Sequence, residues 1–170
     1  DTSGCMLTSN TRDASYKMYL AMTNGEIHKS YIAVLDGIPP ADEGMLESHM
    51  HRKPDSIIVR EETSPDTPDA KPALTTYRVL AKTATHSVVL ASPITGRTHQ
   101  IRVQFAGIGC PVAGDSLYGT ESPHIVRHAL HSWKTDFPHP MTGETITVTA
   151  PVPEDIRALM DALGFSDFQL

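Results

Sequence analysis

The chain has 170 residues, with 14 basic and 20 acidic side chains and a formal net charge of -6. This length fits one domain, and 39% hydrophobic with 20% charged residues is ordinary for a globular chain. No apolar run approaches the roughly 20 residues of a membrane-spanning helix, which excludes a helical membrane protein. The two cysteines, Cys5 and Cys110, are too few for a disulfide framework or a cysteine-based zinc site. We therefore expect a reducing, cytoplasmic location.

The charge is unevenly distributed along the chain. An acidic excess argues against general binding of nucleic acids, because affinity for phosphate depends on basic side chains. Residues 97–102, however, contain no acidic side chain, and Lys29, Arg52 and Lys53 add positive charge elsewhere. A local basic patch is therefore compatible with the overall acidity.

The first third of the chain predicts a strand, a helix and a second strand. An apolar run at 4–8 suits a short strand. Apolar residues at helical spacing between 14 and 22 predict a helix that ends at Gly25. Residues 29–35 are rich in Tyr, Ile and Val, which is typical of a strand. The other candidate strands are 56–60, 75–81, 87–91, 129–137 and 144–149, and residues 62–71 have the composition of a surface loop.

Two further helices are predicted in the second half. Thr98 is a candidate N-cap for a helix that buries Ile101 and Phe105 and ends near Gly109. Pro153 opens a last helix with an apolar stripe. Because the predicted strands occur in runs rather than alternating with helices, the sequence predicts one α+β domain over 1–170. Its central sheet is expected to be mixed, largely antiparallel and flanked by helices.

The densest polar segment is ITGRTHQIRV at 94–103, where a glycine turn leads into a predicted helix. In that helix His99 and Arg102 are three residues apart and share a face. A guanidinium beside a helix N-terminus opposes the helix dipole unless an anion accompanies it. We therefore expect a carboxylate or a phosphate beside Arg102. The alternative is a solvated basic helix start without a ligand.

Two groups of histidines have spacings that are compatible with metal binding. His49 and His51 are close in sequence, and His124, His128 and His131 have i, i+4, i+7 spacing. Such spacing is compatible with zinc and with a histidine-dependent metallohydrolase. No nearby carboxylate completes an obvious catalytic set, so we expect no metal site.

Residues 94–119 resemble the third motif of the RluA-type RNA pseudouridine synthases. That motif reads TGR-x-HQIR followed by G-x-P-[IV]-x-G-D-x-x-Y-G, and this chain reads ITGRTHQIRVQFAGIGCPVAGDSLYG. Other family patterns are matched in the expected order by KSYIA at 29–33, KPALT at 71–75, and the LH to HP segment at 130–140. The resemblance covers most of the chain and implies the pseudouridine synthase fold.

The resemblance also implies the reaction, which isomerises a uridine in structured RNA, either rRNA or tRNA, to its C-glycoside. The target nucleotide is flipped out of its stack, and a carboxylate promotes cleavage of the N-glycosidic bond. The base then rotates and is rejoined to the sugar through C5. No metal or organic cofactor is required, and structured RNA is the expected partner.

Family roles map onto two residues of this chain, and further residues are expected to contact the RNA. Arg102 is expected to pair with the nucleophilic carboxylate and to help keep the target nucleotide flipped out. Tyr31 is expected to pack against the flipped base and is the candidate for proton transfer, although a half-buried strand aromatic is the alternative. The residues expected to contact RNA are Arg97, His99 and Gln100, with Arg52 and Lys53 on backbone phosphates.

The nucleophile itself is not among the given residues. In the family pattern HRLD-x-x-TSG, Thr2-Ser3-Gly4 supplies TSG, so Asp1 occupies the second variable position. The nucleophilic Asp is therefore expected two residues before Asp1. We expect the given chain to be a catalytic domain without its nucleophile motif and N-terminal strands, and inactive by itself. The alternative is a non-catalytic RNA-binding module of the same fold.

Overall fold

The computed structural model describes residues 1–168, which contain three helices and eight strands. The helices are α1 (Arg12–Thr23), α2 (Gln100–Gly107) and α3 (Glu154–Ala162). None of the helices in this range is long and apolar enough to cross a bilayer. The strands are β1 (Ser3–Gly4), β2 (His28–Asp36), β3 (Glu43–Arg52), β4 (Arg60–Thr63), β5 (Lys71–Lys82), β6 (His86–Pro93), β7 (Leu130–Pro138) and β8 (Thr145–Thr149).

All eight strands belong to one sheet. Its order is β1-β7-β2-β6-β5-β3-β4, and β8 also pairs with β7. The pair β1–β7 is parallel, and every other pair in the described part of the chain is antiparallel. This confirms the predicted α+β domain with a mixed, largely antiparallel sheet flanked by helices.

The hydrophobic core lies between the sheet and the helices. The apolar run at 32–35 is fully buried because β2 lies between β6 and β7. Ile101 and Phe105 of α2 pack into the same cluster, as predicted, together with Ile156 and Leu159 of α3. This packing fixes α2 against the sheet and thereby places its polar N-terminus.

The structure corrects three predicted elements. The strand at 4–8 is reduced to β1, because Ser3 and Gly4 are the residues that pair with β7. The strand at 56–60 is wrong: the Ser56 hydroxyl accepts from the next backbone N–H groups in a turn, and pairing begins only at Arg60. Strand β3, which was not predicted, pairs with both β4 and β5.

Candidate active site

A cavity of about 1430 Å³ opens beside the N-terminus of α2. Tyr31 of β2 and Arg102 of α2, the two residues expected to have catalytic roles, both line it. Asp1 and Thr2 at the start of the chain line it as well. The structure therefore brings together residues from three distant parts of the sequence.

A buried carboxylate holds Arg102 in place. Arg102 Nε and Nη2 donate to Oδ2 and Oδ1 of Asp115 at 2.6 and 2.7 Å. Arg102 is 9% exposed and Asp115 is 1% exposed. Such a bidentate contact fixes the plane of the guanidinium as well as its position. Asp115 is thus the anion that the basic helix start requires, although no role was predicted for it.

Asp115 remains ionised despite its burial. Burial opposes ionisation, but hydrogen bonds from Arg102 and from the backbone N–H groups of Leu117 and Tyr118 hold the pKa of Asp115 below its usual range. The pair leaves Arg102 Nη1 without a hydrogen-bond partner among residues 1–168. That nitrogen is available to a second anion in the cavity.

Tyr118 connects Arg102 to His99. The guanidinium carbon of Arg102 lies 4.9 Å from the centre of the Tyr118 ring, a cation–π distance. The Tyr118 hydroxyl accepts from the Arg60 N–H at 2.8 Å and lies 2.9 Å from Nδ1 of His99. The Tyr118 hydroxyl therefore bonds the Arg60 backbone and the His99 ring at the same time.

His99 has an unusual backbone and stays neutral. It is the N-cap of α2 with a left-handed φ of 59°, and its side chain makes no capping bond. The predicted N-cap Thr98 is therefore wrong by one residue. Burial lowers the pKa of His99, and the charges of Arg102 and Arg60 lower it further. His99 therefore presents a neutral imidazole to the cavity rather than a positive charge.

Gln100 is directed into the protein. Its Oε1 accepts from the Thr95 hydroxyl at 2.7 Å and from the Arg97 N–H at 2.9 Å. Its Nε2 donates to the Leu74 carbonyl and to the Thr75 hydroxyl, both at 2.9 Å. All its donors and acceptors are used in tethering the 94–99 loop to β5. This geometry gives Gln100 a structural role. Gln100 also lines the cavity, and its expected contact with RNA stays a prediction.

The remaining basic residues differ in position. Arg97 lines the cavity, and its Nε donates to the Pro72 carbonyl at 2.9 Å. Arg52 and Lys53 are exposed at the end of β3 and do not line the cavity. Their expected contacts with phosphates stay a prediction and would lie outside the cavity.

Tyr31 contributes a protonated phenol to the cavity wall. It lies on β2 opposite Ser132 of β7 and packs against the main core. Burial raises the pKa of the Tyr31 phenol, and the Ser132 hydroxyl opposes this shift. A half-buried ring with its proton retained has the surface to pack against a flat base and a group that exchanges a proton.

The histidines make contacts within the protein. His51 Nε2 lies 2.9 Å from Glu61, His128 Nε2 lies 2.9 Å from the Thr2 hydroxyl, and His131 Nδ1 lies 2.9 Å from the Ser3 hydroxyl. Within residues 1–168 no three His, Cys, Asp or Glu side chains converge in a metal-binding group. The geometry gives no support to the metallohydrolase alternative.

Comparison with known proteins identifies the family. Residues 1–107 match the family model described as RNA pseudouridylate synthase. The uncharacterized RNA pseudouridine synthase YjbO of Bacillus subtilis is 39% identical over 160 residues, covering 94% of this chain and 55% of that protein. The ribosomal large subunit pseudouridine synthase D of Nitrosomonas europaea is 32% identical over 172 residues, covering 96% of this chain and 48% of that protein.

Solved structures agree on the fold. The human RNA pseudouridylate synthase domain containing 1 superposes with a TM-score of 0.72 at 24% identity, over 89% of this chain and 69% of that one. The chain spans about half the length of the curated relatives it matches. With the family model matched over residues 1–107 and the motif at 94–119 in place, the chain belongs to the RNA pseudouridylate synthases of the RluA type.

Proposed function

We propose that this chain is the catalytic domain of an enzyme that isomerises uridine to pseudouridine in structured RNA, either rRNA or tRNA. The observation that carries the proposal is that Tyr31, Arg102, Asp1 and Thr2 line the same cavity. A relative named for the ribosomal large subunit favours rRNA as the substrate.

The nucleophilic carboxylate in this proposal belongs to a residue two positions before Asp1 in the longer protein. Two extended residues span at most about 7 Å, so a carboxylate there stays within reach of the cavity that Asp1 lines. Arg102 Nη1 supplies a donor that is not engaged by Asp115. The bound guanidinium would keep the carboxylate ionised.

The proposed reaction conserves all atoms and needs no oxidant or reductant. The carboxylate promotes cleavage of the N1–C1′ bond, either by attack at C1′ or by assisting proton removal from C2′. The freed uracil rotates and C5 forms a bond to C1′. On the first route this step breaks the carboxylate–C1′ bond, and on the second route C2′ regains its proton. The proton on C5 then leaves, and N1 is protonated. Tyr31 packs against the flipped base and is the proposed group for the proton transfer.

Replacement of Arg102 by Ala in the full-length protein tests this proposal. Wild-type protein should release tritium from rRNA or tRNA that carries 5-tritiated uridine, because the C5 hydrogen is lost. Arg102→Ala should abolish release, since the carboxylate loses its cation, while the circular dichroism spectrum shows that the fold is kept. Near-normal release by Arg102→Ala contradicts the role of Arg102, and no release by wild type from either RNA contradicts the proposed function.

We also infer a cytoplasmic location. The two free cysteines, Cys5 and Cys110, are typical of a reducing compartment. The class of RNA substrate proposed above points to the same compartment. Cell fractionation followed by immunoblotting checks this inference.

A further inference from the structure

Arg127 links the start of the chain to α3. Its Nε and Nη2 donate to Oδ2 and Oδ1 of Asp155 at 2.7 and 2.9 Å. Its Nη1 donates to the Asp1 carbonyl at 3.0 Å, and its Nη2 donates to the Ser3 hydroxyl at 3.2 Å. One guanidinium therefore ties residues 1–3 to the first turn of a core helix.

Two neighbouring histidines hold the same residues. Nε2 of His128 lies 2.9 Å from the Thr2 hydroxyl, and Nδ1 of His131 lies 2.9 Å from the Ser3 hydroxyl. His131 Nε2 is 3.1 Å from the Ala150 carbonyl, which can only accept, so in the neutral imidazole Nε2 carries the proton and Nδ1 accepts from Ser3. Residues 1–3 are thus each held by a side chain from 127–131.

Backbone pairing alone gives this segment little support. Strand β1 has two residues and pairs with one neighbour, β7, and the Cys5 N–H adds one bond to the Ser132 carbonyl. The side-chain contacts from 127–131 therefore set where the chain enters the cavity. Arg127 and His128 line the cavity themselves. Neither residue is used in the reaction proposed above.

We propose that Arg127, oriented by Asp155, is a positioning residue that holds residues 1–3 so that the carboxylate preceding them meets Arg102. The inference rests on the proposed function. A reacting group displaced by about 1 Å can lower a rate by about a hundredfold. Loss of the Arg127 contacts to residues 1–3 should therefore reduce turnover more than it reduces RNA binding.

Asp155→Asn in the full-length protein tests the positioning role, with Glu154→Gln as its matched control. Both changes remove one negative charge from the first turn of α3, but only Asp155 accepts from Arg127. We expect Asp155→Asn to lower kcat by about tenfold to a hundredfold with KM changed less than about twofold. Arg127→Lys should behave alike, because Lys lacks the bidentate fork. Glu154→Gln should keep the wild-type kcat.

Hydrogen–deuterium exchange without RNA provides a second readout. The peptide covering residues 1–5 should exchange faster in Asp155→Asn than in Glu154→Gln. A lower kcat together with faster exchange supports the proposal. If the wild type is active and Asp155→Asn keeps its kcat, the positioning role alone is overturned. If hydrogen exchange of residues 1–5 is unchanged in Asp155→Asn, Arg127 does not hold residues 1–3 in place. A wild-type protein without activity on rRNA or tRNA contradicts the proposed function, and the positioning role with it.

Discussion

At the scale of single residues, the site depends on how Asp115 presents Arg102. A lysine at position 102 would keep the charge but lose the two parallel hydrogen bonds that orient the guanidinium. The Arg102–Asp115 contact also stabilises the fold, because it pairs the almost completely buried Asp115 carboxylate with a cation. Orientation of the cation and stability of the core are therefore linked at this pair.

Asp115→Asn should reduce turnover by about a hundredfold and the free energy of unfolding by about 3 kcal/mol. The change leaves the Arg102 charge buried without its partner, for which losses of about 3–5 kcal/mol are typical. Tritium release and urea unfolding measure the two effects. Asp42→Asn is the control, because its pair with Lys82 is exposed and contributes about 1 kcal/mol or less. Turnover within threefold of wild type in Asp115→Asn would contradict this account of Arg102.

His128 should make the protein less stable as the pH falls from 6.5 to 4. Burial, assisted by the charge of Arg102, lowers the pKa of His128 from 6.5 to about 4. In this window the unfolded chain binds a proton that the folded protein does not, so acidification favours unfolding, by up to about 3 kcal/mol at pH 4. Urea unfolding at several pH values measures the slope.

His128→Gln should flatten that slope, because the titrating group is removed. His124→Gln, at an exposed position of the same loop, should retain the wild-type slope. An unchanged slope in His128→Gln would show that other groups cause the acid sensitivity.

At the scale of elements, the chain's own pattern predicts the buried parts well. The continuous apolar run at 32–35 predicts the buried strand β2. The helical spacing of Ile101 and Phe105 predicts α2, because one face of this helix is buried. Strand β3 lacks such a pattern, since Met50 is its one buried residue. It is stabilised by pairing with β4 and β5, which are distant contacts that a local pattern does not contain.

For the site too, the sequence predicts the local segment but not its distant contacts. The polar segment at 94–103 identifies Arg102 and His99 and the need for an anion beside them. The partners of Arg102 and His99 are Asp115 and Tyr118, which lie in the turn after α2. These contacts form only because the chain returns to the N-terminal end of α2. The N-cap at His99 departs from the local preference for Thr98, since the bonds of Gln100 hold the loop in place. Tertiary contacts override local propensity at both points.

Gly4→Ala should separate β1 from β7. Gly4 has a φ of 111°, and an added Cβ would lie 2.1 Å from the Ser132 carbonyl oxygen. Gly25→Ala is the control, because its φ is also positive at 73° but no atom lies within 4 Å of the added Cβ. We expect a loss of about 1–2 kcal/mol of unfolding free energy for Gly25→Ala and a larger loss for Gly4→Ala. Equal losses in urea unfolding would contradict the close packing of β1 on β7.

At the scale of the whole molecule, charge is separated between the cavity and the rest of the surface. The chain carries a net charge of -6, yet Lys29, Arg97, Arg102 and Arg127 all line the cavity. Arg102 is paired with Asp115 and Arg127 with Asp155, so within the described residues Lys29 and Arg97 are the two of these four outside an ion pair. Asp1 lines the cavity as well. This local positive charge would attract RNA phosphates to the cavity despite the net acidity of the chain. Binding should weaken as salt is raised, because the cavity contacts are charged.

The most direct test of this account is tritium release by full-length protein in which the Asp expected two residues before Asp1 is replaced by Asn. If that carboxylate enters the cavity and meets Arg102, the variant should release no tritium while it still binds the RNA. Asp1→Asn should retain activity, because Asp1 occupies a variable position of the motif. Turnover that survives the upstream replacement, or is lost in Asp1→Asn alone, would contradict the assignment of the nucleophile.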